Sequence, residues 1–197
     1  GPTLWQPPGL AAAVAGLDAA ARREWLWWAP PTPPRRNAAL ADILEDAPAD
    51  VPWFDAAATA RLVELMGPVH RAKLAAAEAE GGRRVGALYR RTRREDGRRV
   101  QRAEVRFDGL AGCLRTPGGG SSRQFLLVTE GGRRRARLLS AREAARLMGL
   151  PETYRLPARH AEALHLAGDG VVVPAVGWLE RHVLAPALAA ARGRSAA

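Results

Sequence analysis

Two runs of alternating residues joined by Asp96-Gly97 constrain the fold of this chain more than any other feature. The first run covers residues 85–94 and the second covers residues 98–107. Asp-Gly between two runs with a period of two is a strong signal for a tight turn between antiparallel strands. The sequence therefore predicts a β-hairpin, followed by a strand over 125–129 and a turn at 130–132.

Helices are predicted on both sides of these strands, from apolar residues at helical spacing. Gly67-Pro68 is expected to kink or divide one of them. Ser140 and Glu143 have the spacing of a capping box, which begins a helix that Gly149 ends. The predicted helices cover residues 9–24, 38–46, 55–80, 140–149, 158–166 and about 175–191.

A cluster of aromatic residues lies near the start of the chain. Residues 25–28 read Trp-Leu-Trp-Trp and precede a proline-rich stretch over 30–34. Apolar residues beside prolines favour a short buried strand that helps to fill the core. Base stacking by a tryptophan on a nucleic acid is the alternative interpretation.

The chain is strongly basic. It has 30 Lys and Arg against 20 Asp and Glu, a formal net charge of +10 and a pI near 11.3. Such an excess favours a polyanionic partner. Lys73 is the only lysine. A GC-rich genome explains the choice of arginine over lysine but not the excess of positive charge. Arginine is also well suited to bidentate contacts with phosphate and guanine.

The positive charge is concentrated in the predicted hairpin, where residues 83–106 hold ten arginines and three acids. Because alternate residues of a strand share a face, Arg91 and Arg93 are expected on one face and Arg90 and Arg94 on the other. A two-stranded ribbon fits the major groove of DNA. The alternative is a solvated hairpin that protects an edge strand from aggregation. The predicted DNA contacts here are Arg90, Arg91, Arg93, Arg94 and Arg98.

A glycine-rich loop over residues 115–124 is the second candidate for DNA contact. Glycines let backbone amides approach a phosphate, and the flanking polar side chains supply hydrogen-bond donors. A flexible connection is the alternative. The predicted contacts in this loop are Arg115, Thr116, Ser121, Ser122, Arg123 and Gln124.

The remaining composition limits the other classes of site. Cys113 is the only cysteine, which excludes an internal disulfide, and it is expected to be a small buried residue. The four histidines have no cysteine partners at zinc spacing, so no metal site is expected. No signal peptide is recognisable, and no apolar run reaches the roughly 18 residues of a membrane span. A cytoplasmic protein without a membrane partner is the expectation.

Residues 137–151 resemble the penultimate conserved block of cytosine-5 DNA methyltransferases. They read Arg-Leu-Leu-Ser-Ala-Arg-Glu-Ala-Ala-Arg-Leu-Met-Gly-Leu-Pro, and Tyr154 follows. The family's block runs Arg, any residue, Leu, Thr or Ser, any residue, Arg-Glu, any residue, Ala-Arg-Leu-Gln-Gly-Phe-Pro. Met148 stands where Gln is usual and Leu150 where Phe is usual, and the spacing is intact. Within this block, Arg142 and Glu143 are expected to organise the domain junction rather than to take part in chemistry.

Residues 168–174, Gly-Asp-Gly-Val-Val-Val-Pro, look like the family's final block, which reads Gly-Asn-Ala-Val and then Pro. In the family this block helps to line the pocket for S-adenosylmethionine. The resemblance therefore implies that Asp169 and Val171 lie near the cofactor, although Asp169 replaces the usual Asn.

The resemblance also implies a domain organisation. A target-recognition domain precedes the penultimate block in the family and would occupy residues 49–136. Residues 1–48 would form a helix with a Trp/Pro-rich connector, and 137–197 the last two motifs with a C-terminal helix. Residues 40–45 resemble a Leu, any residue, Asp, Val/Ile-Leu-Glu helix near the start of the recognition domain. The expected fold is α+β, with a small mixed sheet or hairpin, flanking helices and a C-terminal segment that belongs with a Rossmann-like catalytic lobe absent from this chain.

The family's catalytic motifs do not occur in the sequence. There is no Phe-any-Gly-any-Gly cofactor loop, no Pro-Cys nucleophile, no Glu-Asn-Val and no Gln-any-Arg-any-Arg block. The resemblance thus implies a chain without catalytic residues. Its function would be to bind duplex DNA and position a flipped cytosine for a catalytic lobe that uses S-adenosylmethionine, a cofactor that this chain alone is not expected to bind.

Two origins of such a chain remain open. It is either part of a longer enzyme or one subunit of a split enzyme, and a start at Gly1-Pro2 instead of methionine favours the first. A stand-alone DNA-binding or regulatory module is the alternative function, and a basic RNA-binding protein is a weaker one. The expected setting is a bacterial cytoplasm, at the nucleoid, as in restriction-modification.

Overall fold

The structure is a computed structural model that describes residues 4–35, 38–118 and 123–195, without the side chains of 193–195. The chain divides into two compact units, one formed by Gly1–Arg35 with Ala175–Ala197 and the other by Arg36–Pro174. The predicted α+β fold is confirmed, because helices surround an antiparallel sheet. The domain boundaries inferred from the resemblance stay a prediction.

The second unit is built on a four-stranded sheet in the order β2-β1-β3-β4, with every pair antiparallel. Its strands are β1 (Arg84–Glu95), β2 (Arg98–Arg106), β3 (Gln124–Glu130) and β4 (Arg133–Leu138). The predicted hairpin is confirmed, and its turn residues Asp96 and Gly97 have φ of 47° and 78°. Positive φ at both central positions belongs to the turn type whose twist matches paired strands.

Helices cover both faces of this sheet. On one face lie α3 (Ala56–Glu64) and α4 (Pro68–Ala79). Leu62 of α3, Leu74 of α4 and Met66 between the two helices pack on the sheet. The other face is covered by the 3-10 helix Leu40–Ile43, by α5 (Ala141–Leu147) and by α6 (His160–Asp169). Because successive side chains of a strand point to opposite faces, Ala87 joins one core and Leu88 the other.

Both edges of the sheet are partly capped. On the β2 edge, the Ala103 amide donates to the Leu65 carbonyl at 3.0 Å, and the Val105 amide donates to Nδ1 of His70 at 3.1 Å. On the β4 edge, the Phe54 amide donates to the Ala136 carbonyl at 2.9 Å. Capping of this kind satisfies backbone groups that an edge strand leaves unpaired and discourages pairing with another chain.

The helices of the second unit largely follow the predictions. Gly67-Pro68 separates α3 from α4, because the proline ring suits the first turn of a new helix. The capping box at the start of α5 is confirmed, with the Glu143 amide donating to Ser140 Oγ at 3.0 Å. The helix predicted over 38–46 is wrong in extent, since only the short 3-10 helix forms there.

The first unit holds α1 (Pro8–Ala15), α2 (Ala19–Glu24) and the C-terminal helices from Ala175 onward. Asp18 separates α1 from α2, because its side chain accepts the Ala21 amide at 2.8 Å and begins a new helix. The C-terminal helix begins as α7 (Val173–Leu179), passes through a π-helical segment, Glu180–Leu184, and continues as α8 (Ala185–Ser195).

The prediction for residues 25–28 is wrong. They form no strand, and their side chains are exposed, from 38% for Trp25 to 70% for Leu26. A different tryptophan is held in this unit: Trp5 Nε1 donates to the Pro30 carbonyl at 2.7 Å, and its ring stacks on Trp178 at 5.7 Å.

By length and composition alone, one stretch, His160–Arg192, could cross a membrane. A single stretch of this kind is weak evidence for a span. Its backbone is extended at Gly170, with ψ of 162°, which ends α6 before α7 begins. The absence of a membrane partner stays a prediction.

Candidate nucleic-acid interface

The hairpin extends well beyond the sheet that carries it. Strand β3 pairs with β1 only between Arg84 and Tyr89, whereas β2 pairs with β1 as far as Glu95. Beyond Tyr89, β1 and β2 therefore form a two-stranded ribbon, and residues 92–99 of this ribbon are exposed. A two-stranded ribbon is one of the elements that the DNA major groove admits.

The register distributes the arginines over both faces of the ribbon, as predicted. Arg90 lies opposite Ala103 and Arg94 opposite Arg99 on one face. On the other face, Arg91 lies opposite Arg102. Like charges opposite each other destabilise a hairpin unless a counter-charge is close. Arg94 and Arg99 form such a pair, and neither makes an ion pair with a described residue.

Acidic residues neutralise only part of this ribbon. Arg93 Nε donates to Glu104 at 2.6 Å, and Arg102 Nε donates to Glu95 at 2.8 Å. The hydrogen bond from Arg102 holds the pKa of Glu95 below its usual value. Both pairs are solvent-exposed and contribute little to stability. Within the part of the chain that the structure describes, no ion pair involves the ribbon arginines Arg90, Arg91, Arg94, Arg98 and Arg99.

The loop before β3 is fixed to the base of the ribbon through Gln124. This side chain is buried, and its Oε1 accepts hydrogen bonds from the Tyr89 hydroxyl and from the Gly112 amide, the latter at 3.0 Å. Burial raises the pKa of Tyr89 to about 12. Gln124 thus has an internal partner, unlike the exposed Arg115 and Arg123. Its contact with DNA stays a prediction.

Two glycines allow the loop backbone to pass close to its neighbours. A Cβ at Gly112 would lie 1.5 Å from Tyr89 Oη, and a Cβ at Gly168 of α6 would lie 2.4 Å from the Thr116 backbone nitrogen. Neither position has room for a side chain. The path of the loop is therefore set by the ribbon at one point and by α6 at the other. The predicted contacts Ser121 and Ser122 lie outside the described residues.

A basic cavity of about 290 Å³ lies where the loop, the ribbon and α4 meet. The predicted contacts Arg91 and Arg115 line it, together with His70 and Lys73 of α4, which sequence reasoning missed. His70 and Lys73 are three positions apart and so share a helix face, which was visible in the sequence. Nothing in the sequence places that face beside β2.

A larger cavity of about 650 Å³ lies on the α3 side of the sheet. It is bounded by Arg90 from the ribbon and by Arg123 from the end of the loop, so it adjoins both predicted DNA-contacting segments. The guanidinium of Arg90 lies over the Phe125 ring at 5.2 Å from the centroid. The other lining residues include Phe54, Ala58, Arg61, Glu64, Leu65 and Leu138.

The segment that resembles the penultimate block forms a buried ion pair. The Arg137 and Glu143 side chains are both 0% exposed, and two nitrogens of Arg137 donate to the two carboxylate oxygens at 2.7 and 2.5 Å. The amides of Ser140 and Glu45 also donate to this carboxylate, each at 2.8 Å. Burial alone would raise the pKa of Glu143, but these hydrogen bonds outweigh it and hold the pKa below its usual value.

Neighbouring residues of the same segment also bond to the backbone. Arg142 donates to the carbonyls of Pro151 and Tyr154 at 3.3 and 2.9 Å, which fixes the chain after α5. Arg146 donates to the Ile43 carbonyl at 2.9 Å. These contacts hold the segment to the chain on either side of it, and a role at a domain junction stays a prediction.

The residues expected near a cofactor lie at the end of α6. Asp169 is exposed, and Val171 is 71% exposed. Neither lines one of the cavities above or a small third one beside Leu164. The prediction that Cys113 is buried is wrong, because its side chain is exposed in the loop. Among residues 4–35, 38–118 and 123–195, no group of acidic, histidine or cysteine side chains could hold a metal ion.

Comparison with known families and proteins adds one match. The family model for C-5 cytosine-specific DNA methylases matches residues 58–183, which is more than half of the chain. No curated protein and no solved structure matched the chain. The matched range includes most of α3, all of α4, the sheet with its arginine ribbon, and both segments that resemble conserved blocks. The chain therefore belongs to the C-5 cytosine-specific DNA methylase family.

Proposed function

We propose that this chain is the C-terminal, DNA-recognition portion of a bacterial DNA cytosine-5 methyltransferase. It binds duplex DNA and positions a flipped cytosine for methyl transfer by a catalytic lobe. The observation that carries the proposal is the projecting ribbon, five of whose arginines form no ion pair with a described residue, in a chain of a family that acts on DNA. Stacked arginine pairs of this kind become favourable once phosphates lie between them.

The ribbon and the loop have different tasks in this proposal. Arg94 and Arg98 near the tip of the ribbon bind phosphates or guanine edges in the major groove. Arg115 and Arg123 bind the phosphate backbone from the base of the ribbon. A base that leaves the duplex loses stacking energy of a few kcal/mol, which these contacts must offset.

S-adenosylmethionine is the methyl donor that the family generally uses. Asp169 and Val171 are exposed and enclose no cavity, so these residues alone do not form a site for this group. In the proposal they complete a pocket whose remaining walls come from the catalytic lobe.

The lobe itself is carried by another part of the same enzyme or by a separate subunit. The complex works in the bacterial cytoplasm at the nucleoid, in restriction-modification. A stand-alone DNA-binding or regulatory module is the competing function, and the outcomes of a reconstitution experiment separate the two.

The DNA-binding test measures how the affinity for a duplex depends on salt. Replacing Arg91, Arg94 and Arg98 by alanine should lower the slope of log K against log salt by about 0.9 for each phosphate that the variant no longer neutralises. A matched control replaces Arg22, Arg133 and Arg155, which are exposed and lie outside the ribbon and loop. Equal slopes for the two triple variants would contradict the assignment.

The reconstitution test mixes the chain with a separately expressed catalytic lobe from the family and measures methyl transfer to cytosine. Restored transfer supports a recognition portion. Duplex binding without any transfer supports the stand-alone module instead.

A further inference from the structure

We propose that the cavity of about 650 Å³ on the α3 side of the sheet binds a guanine that is unpaired and extruded from the DNA. The proposal rests on the proposed function and names a ligand for one part of the same DNA-binding surface. It differs from the positioning of the target cytosine, because the base enters the recognition unit itself.

The position of the cavity is the first argument. Arg90 lies where β1 leaves the sheet, and Arg123 is the residue before β3 at the end of the glycine-rich loop. A duplex held by the ribbon and the loop therefore passes beside the cavity. A nucleotide that leaves the stack on this side meets it without a further change in the protein.

The wall of the cavity is the second argument. Phe54, Leu65 and Leu138 line it and are only half-buried, so they still have apolar surface in contact with water. Covering that surface with a planar ring is favourable by about 25 cal/mol for each Å² removed from water. The volume falls within the roughly 300–1,000 Å³ of typical small-molecule sites. A phosphate alone would leave this apolar wall in contact with water.

The charge of the cavity is the third argument. Arg61, Arg90 and Arg123 line it, with Glu64 as the acid, and none of these arginines forms an ion pair with a described residue. Nε of Arg90 is buried and has no hydrogen-bond partner among the described atoms. The cavity thus offers donors that lack an acceptor.

These features together select guanine among the bases. Guanine presents two adjacent acceptors, N7 and O6, and a guanidinium donates to both at once. Adenine has a donor beside its N7 acceptor and matches a set of arginine donors less well. An unpaired cytosine has two acceptors, N3 and O2, but its single ring covers less of the apolar wall than the two rings of guanine. An apolar wall beside unpaired guanidinium groups therefore fits an extruded guanine.

Fluorescence anisotropy on three labelled duplexes tests the proposal. One is fully paired, one carries a single bulged guanine, and one carries a bulged cytosine at the same place. We expect the chain to bind the bulged-guanine duplex more tightly than either of the others, on the order of tenfold. A bidentate arginine contact favours it over the paired duplex, and the second ring, which covers more of the apolar wall, favours it over bulged cytosine. Equal affinity for the two bulged duplexes would overturn the proposal.

Ala58→Trp fills the cavity without changing a charge, because Ala58 lines it from α3. This variant should lose the preference for bulged guanine and keep the affinity for the paired duplex. The matched control is Ala57→Trp, whose side chain is exposed and does not line the cavity. If Ala58→Trp does not fold, Ala58→Leu partly fills the cavity and serves the same purpose. A folded Ala58 variant that retains the preference would contradict the cavity as the site.

The failure of this proposal is distinct from the failure of the proposed function. If the chain binds none of the three duplexes at low salt, the DNA-binding function is wrong and the cavity proposal falls with it. If the paired duplex is bound normally and bulged guanine is not preferred, only the cavity proposal is wrong.

Discussion

The charged pair Arg137–Glu143 lies in the interior, where hydrogen bonds replace the water lost by the Glu143 carboxylate and by both terminal nitrogens of Arg137, although not by its Nε. Each carboxylate oxygen of Glu143 accepts from one Arg137 nitrogen and one backbone amide. A buried ion pair of this kind is not by itself a large source of stability. Loss of one partner, however, leaves the other as an uncompensated charge.

Glu143→Gln should therefore be strongly destabilising although it preserves the shape of the side chain. We expect the free energy of unfolding to fall by about 3–5 kcal/mol, because Arg137 would stay buried without a counter-charge. Urea denaturation of both proteins measures the change. Arg137→Met combined with Glu143→Leu should lose less than Glu143→Gln alone, and a larger loss in the double variant would contradict this explanation.

The same pair gives stability a definite dependence on pH. The pKa of Glu143 is lower in the folded chain than its ordinary value of 4.5. Its contribution is therefore complete above the unfolded pKa and disappears as the pH falls through the lower folded pKa. Unfolding free energies measured from pH 7 to pH 3 should decrease below about pH 5. The decrease should be smaller in Glu143→Gln, and parallel curves would exclude Glu143 as its source.

Among the elements, α6 and the loop before β3 depend on each other through Gly168. Glycine in the interior of a helix normally costs up to about 1 kcal/mol relative to alanine. Here the backbone of Arg115 and Thr116 occupies the space of a Cβ, at 2.5 and 2.4 Å. Contact with backbone atoms leaves no flexible side chain to move aside.

Replacement of glycine by alanine inside a helix usually stabilises the protein. Gly168→Ala should instead be destabilising. We expect a lower melting temperature and weaker duplex binding, since the loop carrying Arg115 would be displaced. Gly177→Ala, in α7, is the matched control because nothing lies within 4 Å of its Cβ position. That variant should be neutral or stabilising by up to about 1 kcal/mol. A gain in stability for both variants would show that the contact at Gly168 is unimportant.

The elements also differ in how well the sequence predicts them. The hairpin and the start of α5 follow from local chemistry, namely the Asp96-Gly97 turn and the Ser140 cap. Strand β4 begins with three exposed arginines, and only Ala136 and Leu138 in it are apolar, so its identity depends on pairing with β3. The prediction for residues 25–28 is wrong for a related reason: aromatic content favours burial, but no strand or core of the unit forms around them.

The candidate interface was predictable in part. The clustering of arginines in the ribbon is a property of the sequence, and strand alternation gives their faces. The positions of His70 and Lys73 beside the ribbon depend on how α4 packs against β2. The burial of Gln124 and the exposure of Cys113 depend on the path of the loop. Such tertiary contacts leave no local pattern in the chain.

Over the whole molecule, the positive charge is distributed unevenly. Many exposed carboxylates form ion pairs with arginines away from the ribbon tip, as Glu78 does with Arg134 and Glu152 with Arg146. Among the described residues, arginines without an ion-pair partner are clustered on the ribbon and the loop, although others, such as Arg22 and Arg155, lie elsewhere. A surface of this kind attracts a polyanion and is screened by salt.

Salt should accordingly affect binding much more than folding. Between 50 and 200 mM salt, duplex affinity should fall by about 10³-fold or more, as for proteins with roughly six to ten phosphate contacts. The melting temperature should change little, because exposed ion pairs contribute at most about 1 kcal/mol each. Anisotropy titrations and thermal melts at both salt concentrations measure the two effects. An affinity that is independent of salt would contradict an interface made of arginines.

The contact between Glu45 and the Glu143 carboxylate has a practical consequence for dissecting or exchanging recognition modules between relatives. The amide of Glu45 donates to that carboxylate, its carbonyl accepts from Arg137, and its side chain accepts from the Ser140 hydroxyl. In a chimera with its crossover just after residue 45, Glu45 comes from one parent, and the Arg137 and Glu143 side chains that bond to its backbone come from the other. Chimeras that splice upstream of Leu40 keep this set of donors and acceptors from a single parent, so they should be recovered in soluble form more often than those spliced downstream.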